Sequence, residues 1–359
     1  MADAADAVGA VDAVAVSPAV DRRRPGDADG PIHDVAVVGA GSVGLLLACL
    51  LARRGLDVVV LERRAAAGSA AASAAPSRAI GIHPPGLRAL DAAGVGDEVR
   101  RRAVEIRDGR VMCDGRTLGA MRFAKSGIVR SLPQREVETL LEQRLAAAAP
   151  SVRVRRGVGV TRLRDKGTHV VLAGTEAGVP VAVAARYAVG ADGVRSDIRS
   201  LIGADWRPRR GRASYVMCDT RDDTGARESA LLHFEPAGVV ESFPMPGGQR
   251  RFVAWVRRTP AELDADAVAT IVASRTGASF ATDAAGPPTA FEAAQHLAHP
   301  MAAGRVALVG DAAHEISPIG GQGMNLGWSD AVHLDRELAA ALAAGAPIDV
   351  FGAYDRSRR

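Results

Sequence analysis

The sequence predicts an α/β protein in which a doubly wound, mostly parallel sheet is interrupted by an inserted mixed or antiparallel β-sheet. Three observations predict it. An uncharged strand, a glycine turn, an apolar helix and a second apolar strand follow one another between Asp34 and Glu62. Segments of strand length fill the stretch from Ser214 to Arg257. A buried strand then returns at Val306–Gly310, ahead of a long helical pattern over Gly323–Ala344 that ends near Gly345. Strand–helix alternation broken by a block of strands is the pattern of a doubly wound domain carrying an inserted sheet.

In chain order, Met1–Pro31 is rich in Ala, Asp and Val and carries an arginine cluster at Arg22–Arg24. It has no basic segment leading into an apolar core, so a disordered leader is expected rather than a secretory signal. Asp34–Val38 has the continuous apolar character of a buried parallel strand. Val43–Arg54 reads as a helix ended by Gly55, and Leu56–Glu62 as a second strand closing on an acid. Val35–Ala52 carries no charge and approaches the length of a membrane span, but Gly39, Gly41 and Gly44 divide it into strand and helix. Arg63–Ser77 is an alanine-rich loop, whereas Pro85–Ala93 and Val137–Ala149 carry helical patterns. Val152–Arg155, Val158–Arg164, His169–Leu172 and Val181–Ala184 are expected strands of a meander. Tyr187–Ala191 is expected as a separate strand entering the turn Asp192–Gly193. Ser214–Asp219, Ala230–Phe234, Val239–Phe243 and Phe252–Arg257 make the inserted sheet, with turns at Pro236–Gly238 and Pro246–Gly248. The expected division gives residues 32–110, 131–205 and 291–359 to the doubly wound domain, and 111–130 and 206–290 to the sheet domain.

A chain of 359 residues suits two closely joined domains. Its net charge of +4 raises the question of a nucleic-acid partner. Lysine occurs only at Lys125 and Lys166, so the charge is almost all arginine, as in an alanine-rich, GC-biased coding sequence. Basic runs such as Arg100–Arg102 and Arg207–Arg212 are short and have no aromatic platform between them, which argues against nucleic acid. Cys49, Cys113 and Cys218 have neither close pairing nor metal-ligand spacing. They point to a reducing, cytoplasmic setting and to no bound metal.

Two motifs carry chemistry. In Asp34-Val-Ala-Val-Val-Gly39-Ala-Gly41-Ser42-Val-Gly44, Gly39 permits the turn from strand to helix. Gly41 lets a pyrophosphate approach the backbone, and Gly44 lets the helix pack on the strand. The helix N-terminus then offers unpaired N–H groups and partial positive charge to phosphates. Glu62 lies eighteen residues beyond Gly44, where a carboxylate can accept from both ribose hydroxyls and would repel a 2′-phosphate. That excludes NADP at this pocket and leaves FAD and NAD. The second motif is Gly310-Asp311-Ala-Ala-His314, followed by Pro318-Ile-Gly320-Gly321-Gln322-Gly323-Met324-Asn325. Here a strand delivers Asp311 at its carboxyl end. The glycines let backbone amides approach a flat ligand, and the next helix aims its positive end at it.

These two motifs, with Gly190-Ala-Asp192-Gly193-Val-Arg195-Ser196 between them, resemble the three ordered signatures of the class A flavoprotein monooxygenases. That is the aromatic-hydroxylase type related to p-hydroxybenzoate hydroxylase, and the resemblance spans about Asp34 to Asp355. It implies a Rossmann-like, glutathione-reductase-like FAD-binding domain with an inserted substrate sheet. It also assigns roles. Glu62 would hold the adenosine ribose, with Arg63 near the adenine and Val160 covering it. Arg78 would lie by the pyrophosphate and flavin, and Gln134 by the central chain. Asp192 sits in the motif linked to FAD and NAD(P)H. Asp311 would contact the ribityl chain, and Pro318 and Gly321 would line the flavin. Gly323, Met324 and Asn325 would cap the pyrimidine edge, while His314 would hydrogen-bond within its loop.

In such a family NADPH or NADH visits transiently to reduce FAD, O2 adds at the flavin C4a, and the hydroperoxide transfers one oxygen to an aromatic or polyketide-like molecule. No metal or catalytic triad is needed, because the cofactor carries the hard chemistry. Tyr215, His233, Phe243 and Arg257 are the candidate substrate contacts, and His233 is the candidate base for a phenol. The family ordinarily continues with further helix past a segment like Tyr354–Arg359, so shortened or cut closing helices are expected. A flavin-dependent dehydrogenase or reductase on the same fold is the rival enzyme reading. A halogenase is disfavoured because no Trp-x-Trp-x-Ile-Pro occurs, and a non-enzymatic flavin-binding redox protein is the reading from another class.

Overall fold

A computed structural model describes residues 30–65, 80–148, 152–316, 321–345 and 350–358. The leader up to residue 29, and the expected contacts of Arg78 and Pro318, lie outside these residues. Among the described residues the first sheet has eight strands. Its parallel core orders Arg153–Arg156, Val58–Glu62, Ile32–Val38, Val179–Gly190 and Val306–Leu308 side by side, with the short strand Ala302–Ala303 antiparallel at the edge. Val158–Asp165 and Val170–Glu176 extend it as an antiparallel meander onto Val179–Gly190.

Two expectations are corrected here. Val181–Ala184 and Tyr187–Ala191 belong to one strand, Val179–Gly190. Its first half pairs antiparallel with Val170–Glu176 and its second half pairs parallel with Ile32–Val38. Arg186 between the two apolar stretches looks like a break in sequence, yet it is only where the strand passes from one partner to the other. Arg153–Arg156 is not part of the meander but a parallel edge beside Val58–Glu62. Four residues cannot reveal their partner, because pairing direction is a tertiary choice.

The helix Ser42–Arg53 explains its own lack of charge. Leu45, Leu46, Leu47 and Leu51 are fully buried, because helices Gln134–Ala148 and Gly323–Ala344 cover the flanks that the sheet does not. A helix apolar all round is a core helix here, not a membrane span. Among the described residues no helix is long and apolar enough to cross a membrane. Helix Pro84–Ala93 starts with proline in its first turn and ends on Gly94 at φ +85°, as sterics favour. Helix Gly323–Ala344 likewise ends on left-handed Gly345.

The second sheet also has eight strands among the described residues. Its order is His314–Glu315, Thr289–His299, Asp205–Arg221, Gln249–Val256, Gly238–Met245, Ser229–Glu235, Asp108–Cys113 and Arg116–Arg122. The hairpin Asp108–Arg122 therefore joins the later strands through a parallel pairing with Ser229–Glu235. Helix Ala265–Thr276, unmarked in the sequence by any clean periodicity, covers one face. Val268 and Val272 pack there on Val216, Val240, Phe252 and Ala254. A small third sheet, in the order Gly81–Ile82, Val129–Ser131 and Val104–Ile106, is drawn from segments on either side of the hairpin Asp108–Arg122.

Candidate functional site

The three glycine motifs meet at the amino end of helix Ser42–Arg53. Gly39 has φ +109°, and a Cβ there would stand 2.3 Å from the Ala191 carbonyl oxygen. The turn before Asp192 thus presses directly on the first motif, tied by Ala191 N–H donating to Val38 O at 2.7 Å. Gly44 packs so closely that a Cβ would lie 2.0 Å from the Gly39 oxygen. The last motif joins through Gly327, where a Cβ would meet Val43 at 2.7 Å and Gly310 Cα at 3.1 Å. Fully buried Trp328 donates its indole N–H to Ser42 O at 3.2 Å.

Gly41 is different. Its backbone is extended (φ −82°, ψ 178°), no side chain caps the helix, and an added Cβ would find nothing nearer than Glu138 Oε1 at 3.9 Å. An open approach to uncapped helix amides suits a pyrophosphate, so the residues present fit a dinucleotide. Buried Ser42 does not offer its amide freely, however. That N–H donates to Glu138 Oε1 at 3.1 Å, which also accepts from Gln134 Nε2 at 2.8 Å. Gln134 therefore acts on Glu138 within its own helix.

Glu62 closes its strand and is buried. It accepts from Ala40 N at 2.8 Å and, through its other oxygen, from Arg64 N at 2.8 Å and Arg64 Nε at 3.0 Å. Burial pushes its carboxyl up, but these bonds and the Arg64 charge outweigh it and hold the group below its ordinary range. Arg64 Nη2 adds a longer bond to the first oxygen at 3.3 Å, so all of the roughly four acceptor sites are used and a ribose hydroxyl would take the place of that longest contact. The arginine beside it is Arg64, which the sequence reading passed over; Arg63 turns to Asp197 at 3.7 Å. Arg64 also bridges to Ala40 O and accepts Gly157 N–H on its carbonyl, bringing the buried Val160 strand alongside.

Asp192 anchors the start of the short helix Asp197–Leu201. It accepts from Ser196 Oγ at 2.6 Å, Asp197 N at 2.8 Å and Ile198 N at 3.1 Å. Burial nonetheless pushes its carboxyl up. Asp311 is exposed in the turn Gly310–Ala312 at the carboxyl end of Val306–Leu308. Helix Gly323–Ala344 begins with no side-chain cap. Asn325 is buried and its amide is fully engaged. It accepts from His83 N at 2.9 Å and donates to Gly81 O at 2.9 Å and Gly321 O at 3.0 Å. Asn325 therefore stitches the third sheet to the last motif, leaving its backbone, with that of Gly323 and buried Met324, at the helix start. Among the described residues His314 bonds outside its loop. Its Nε2 pairs with Asp330, buried in the same long helix, and Arg358 Nε lies 3.0 Å from the other Asp330 oxygen.

The four substrate-sheet candidates are not brought together. Directly opposed residues share a face, and alternate residues take opposite faces. Tyr215 and Phe243 lie on the face away from helix Ala265–Thr276, with Met217, Glu241 and Arg251. Buried Tyr215 stacks on Phe291 at 5.4 Å, and Arg251 grips Asp219 bidentately at 2.6 and 2.7 Å. His233 is opposite Val240, which packs under the helix, so it lies on the covered face. Burial lowers its pKa, with Glu235 opposing. Arg257 is exposed just past its strand. Glu241, a buried carboxylate beside buried Ser242 in a largely apolar strand, was missed. Its only signal in the sequence is a charge at a position where Val239–Phe243 reads as core.

A family model described as FAD binding domain matches residues 33–359. A 12-dehydrotetracycline 5-monooxygenase/anhydrotetracycline 6-monooxygenase of Streptomyces rimosus is 32% identical over 345 residues, covering 91% of this chain and 66% of that protein. A ubiquinone hydroxylase of Rhodospirillum rubrum is 31% identical, with 93% and 81% covered. Among solved structures, a p-nitrophenol 4-monooxygenase from Pseudomonas putida superposes with TM-score 0.81 at 26% identity, covering 91% of this chain and 85% of that one. The chain spans about two thirds of the length of the tetracycline enzyme.

Proposed function

The chain belongs to the class A, aromatic-hydroxylase-type family of FAD-dependent flavoprotein monooxygenases, and from that premise we propose that it uses NADPH or NADH and O2 to insert one oxygen atom into an aromatic or polyketide-like small molecule. The observation that carries the reading is the convergence of three distant motifs on one uncapped helix start, with open space at Gly41. A two-domain division follows the two large sheets, with the sheet of Asp205–Arg221 supplying the substrate wall.

FAD, when bound, supplies the redox and oxygen chemistry; the chain's residues bind and orient. Gly41 and Ser42 take the pyrophosphate and Glu62 the ribose. Arg64 and Arg63 flank the adenine, which Val160 covers. Gln134 acts through Glu138, and Asp192 holds the turn behind Gly39. Asp311 takes the ribityl chain. Gly321 and the backbone N–H groups of Gly323, Met324 and Asn325 meet the flavin edge, and the motifs assign Arg78 and Pro318 to the same cofactor. Tyr215 and Phe291 form an aromatic patch on the sheet face that also carries Phe243, and buried Glu241 on that face accepts a phenolic hydroxyl. Three free cysteines, Cys49, Cys113 and Cys218, support a cytoplasmic enzyme.

Purified protein reconstituted with FAD should be yellow, and a phenol or quinone panel should include a compound that accelerates NAD(P)H oxidation with O2 uptake. Label from 18O2 should enter the product. Protein that stays colourless refutes the cofactor assignment, and turnover without oxygen incorporation favours a dehydrogenase.

A further inference from the structure

The Ser42 amide lies at the head of the helix where a pyrophosphate would bind, yet Glu138 Oε1 already accepts from it. Glu138 reaches that position from the first turns of helix Gln134–Ala148, and Gln134 holds its oxygen at 2.8 Å. The same oxygen is the nearest atom to the missing Cβ of Gly41. A carboxylate and a dianionic pyrophosphate thus compete for one group of donors, and their like charges disfavour joint occupancy.

We propose that Glu138 is a positioning residue of the cofactor site whose carboxylate occupies the Ser42 amide in the apoprotein and which takes up one proton from solvent when FAD binds. The inference rests on the FAD reading above. The charged groups around Glu138 allow this. From the segment after Val58–Glu62, Arg64 attracts it, but that guanidinium is committed to Glu62. From its own helix Glu142 repels it, and Arg156 on the neighbouring strand pairs with Glu142. Helix Ser42–Arg53 contributes no charged side chain in its first turn. Burial pushes the Glu138 carboxyl up, only partly offset by Gln134, Arg64 and the Ser42 amide. Protonation therefore starts from a group already displaced toward neutrality, and a neighbouring pyrophosphate moves it further the same way.

The test is FAD binding to the apoprotein between pH 5.5 and 8.5, followed by flavin fluorescence and by calorimetry in buffers of different ionisation enthalpy. Wild type should take up close to one proton per FAD at the pH between its free and bound carboxyl pKa values. Its Kd should weaken as pH rises, by up to about tenfold per unit. Glu138→Gln keeps an acceptor for Ser42 N–H without the charge. It should bind FAD at least as tightly as wild type at pH 8.5, with a flat pH profile and no proton uptake. A wild-type Kd independent of pH with zero proton uptake overturns the proposal, as does Glu138→Gln retaining the wild-type slope. Wild-type proton uptake stands as a test even if the variant does not fold. Failure of wild type to bind FAD at any pH overturns the cofactor reading and this inference together.

Discussion

Two alanine substitutions three residues apart separate a glycine needed for folding from one needed for binding. Helix propensity alone predicts that Gly44→Ala stabilises the protein by ~1 kcal/mol, since Gly44 lies inside a helix. The structure predicts the opposite sign. The new methyl would stand 2.0 Å from the Gly39 carbonyl oxygen and 3.2 Å from Ala191 Cβ. The closer atom is backbone, so no rotamer relieves it, and strand and helix must separate by about 1 Å. Overpacking of that kind costs about 1–3 kcal/mol. At a chain-length entropy of unfolding near 0.75 kcal/mol/K, each kcal/mol moves Tm by about 1.3 °C. The Gly44→Ala apoprotein should therefore melt about 1–4 °C low. Gly41→Ala should leave apo Tm within about 1 °C: its φ is ordinary and the methyl has room, so the cap cost and the gain in chain entropy offset each other. That methyl instead occupies the phosphate approach, and losing a charge-assisted backbone bond should weaken FAD binding about 10–100-fold. Apo calorimetry and FAD fluorescence quenching measure both. A Gly41→Ala protein that binds FAD like wild type, or a Gly44→Ala apoprotein more stable than wild type, would refute the assignment.

Other perturbations test other parts of the molecule. Asp330→Ala strands buried His314 and its Arg358 partner, and should cost about 3–5 kcal/mol in urea unfolding. Glu62 has a folded pKa held below its unfolded value, so its contribution is present above the unfolded carboxylate range and is lost as pH falls through the folded pKa. Glu62→Gln should flatten the acid limb of a stability-versus-pH curve, and an unchanged limb would contradict the Arg64 and Ala40 bonds. Burial pushes Cys49 up to about 12 and Cys218 to about 11, so alkylation of native protein at pH 8 should concentrate on Cys113, as peptide mapping can show. Glu241→Gln should lower kcat/KM on a phenolic substrate by about 10²-fold with FAD content unchanged. His233→Gln should change stability rather than rate; equal rate losses in both would restore His233 as a base.

Much of the cofactor half was legible in the sequence because it depends on local chain geometry. A turn into a helix across Gly39–Gly44, an acid at the end of the next strand, and a glycine loop before a long helix are short-range patterns with steric causes. So are the helix stops at Gly55 and Gly345. What stayed hidden depends on which distant element lies alongside. Arg63 and Arg64 are identical in sequence, and only packing turns one toward Glu62 and the other toward Asp197. Asn325 reads as a ligand contact until Gly81 and His83 arrive to consume its amide. His233 and Glu241 differ by a face of the sheet, which is decided by the register of Ser229–Glu235 against Gly238–Met245 and by the side that helix Ala265–Thr276 covers. By itself the sequence determined the cofactor fold, since φ restrictions and apolar runs act within a few residues. The tertiary structure alone decided the substrate wall and the place of Glu138 at the Ser42 amide, since a contact across 96 positions leaves no local trace.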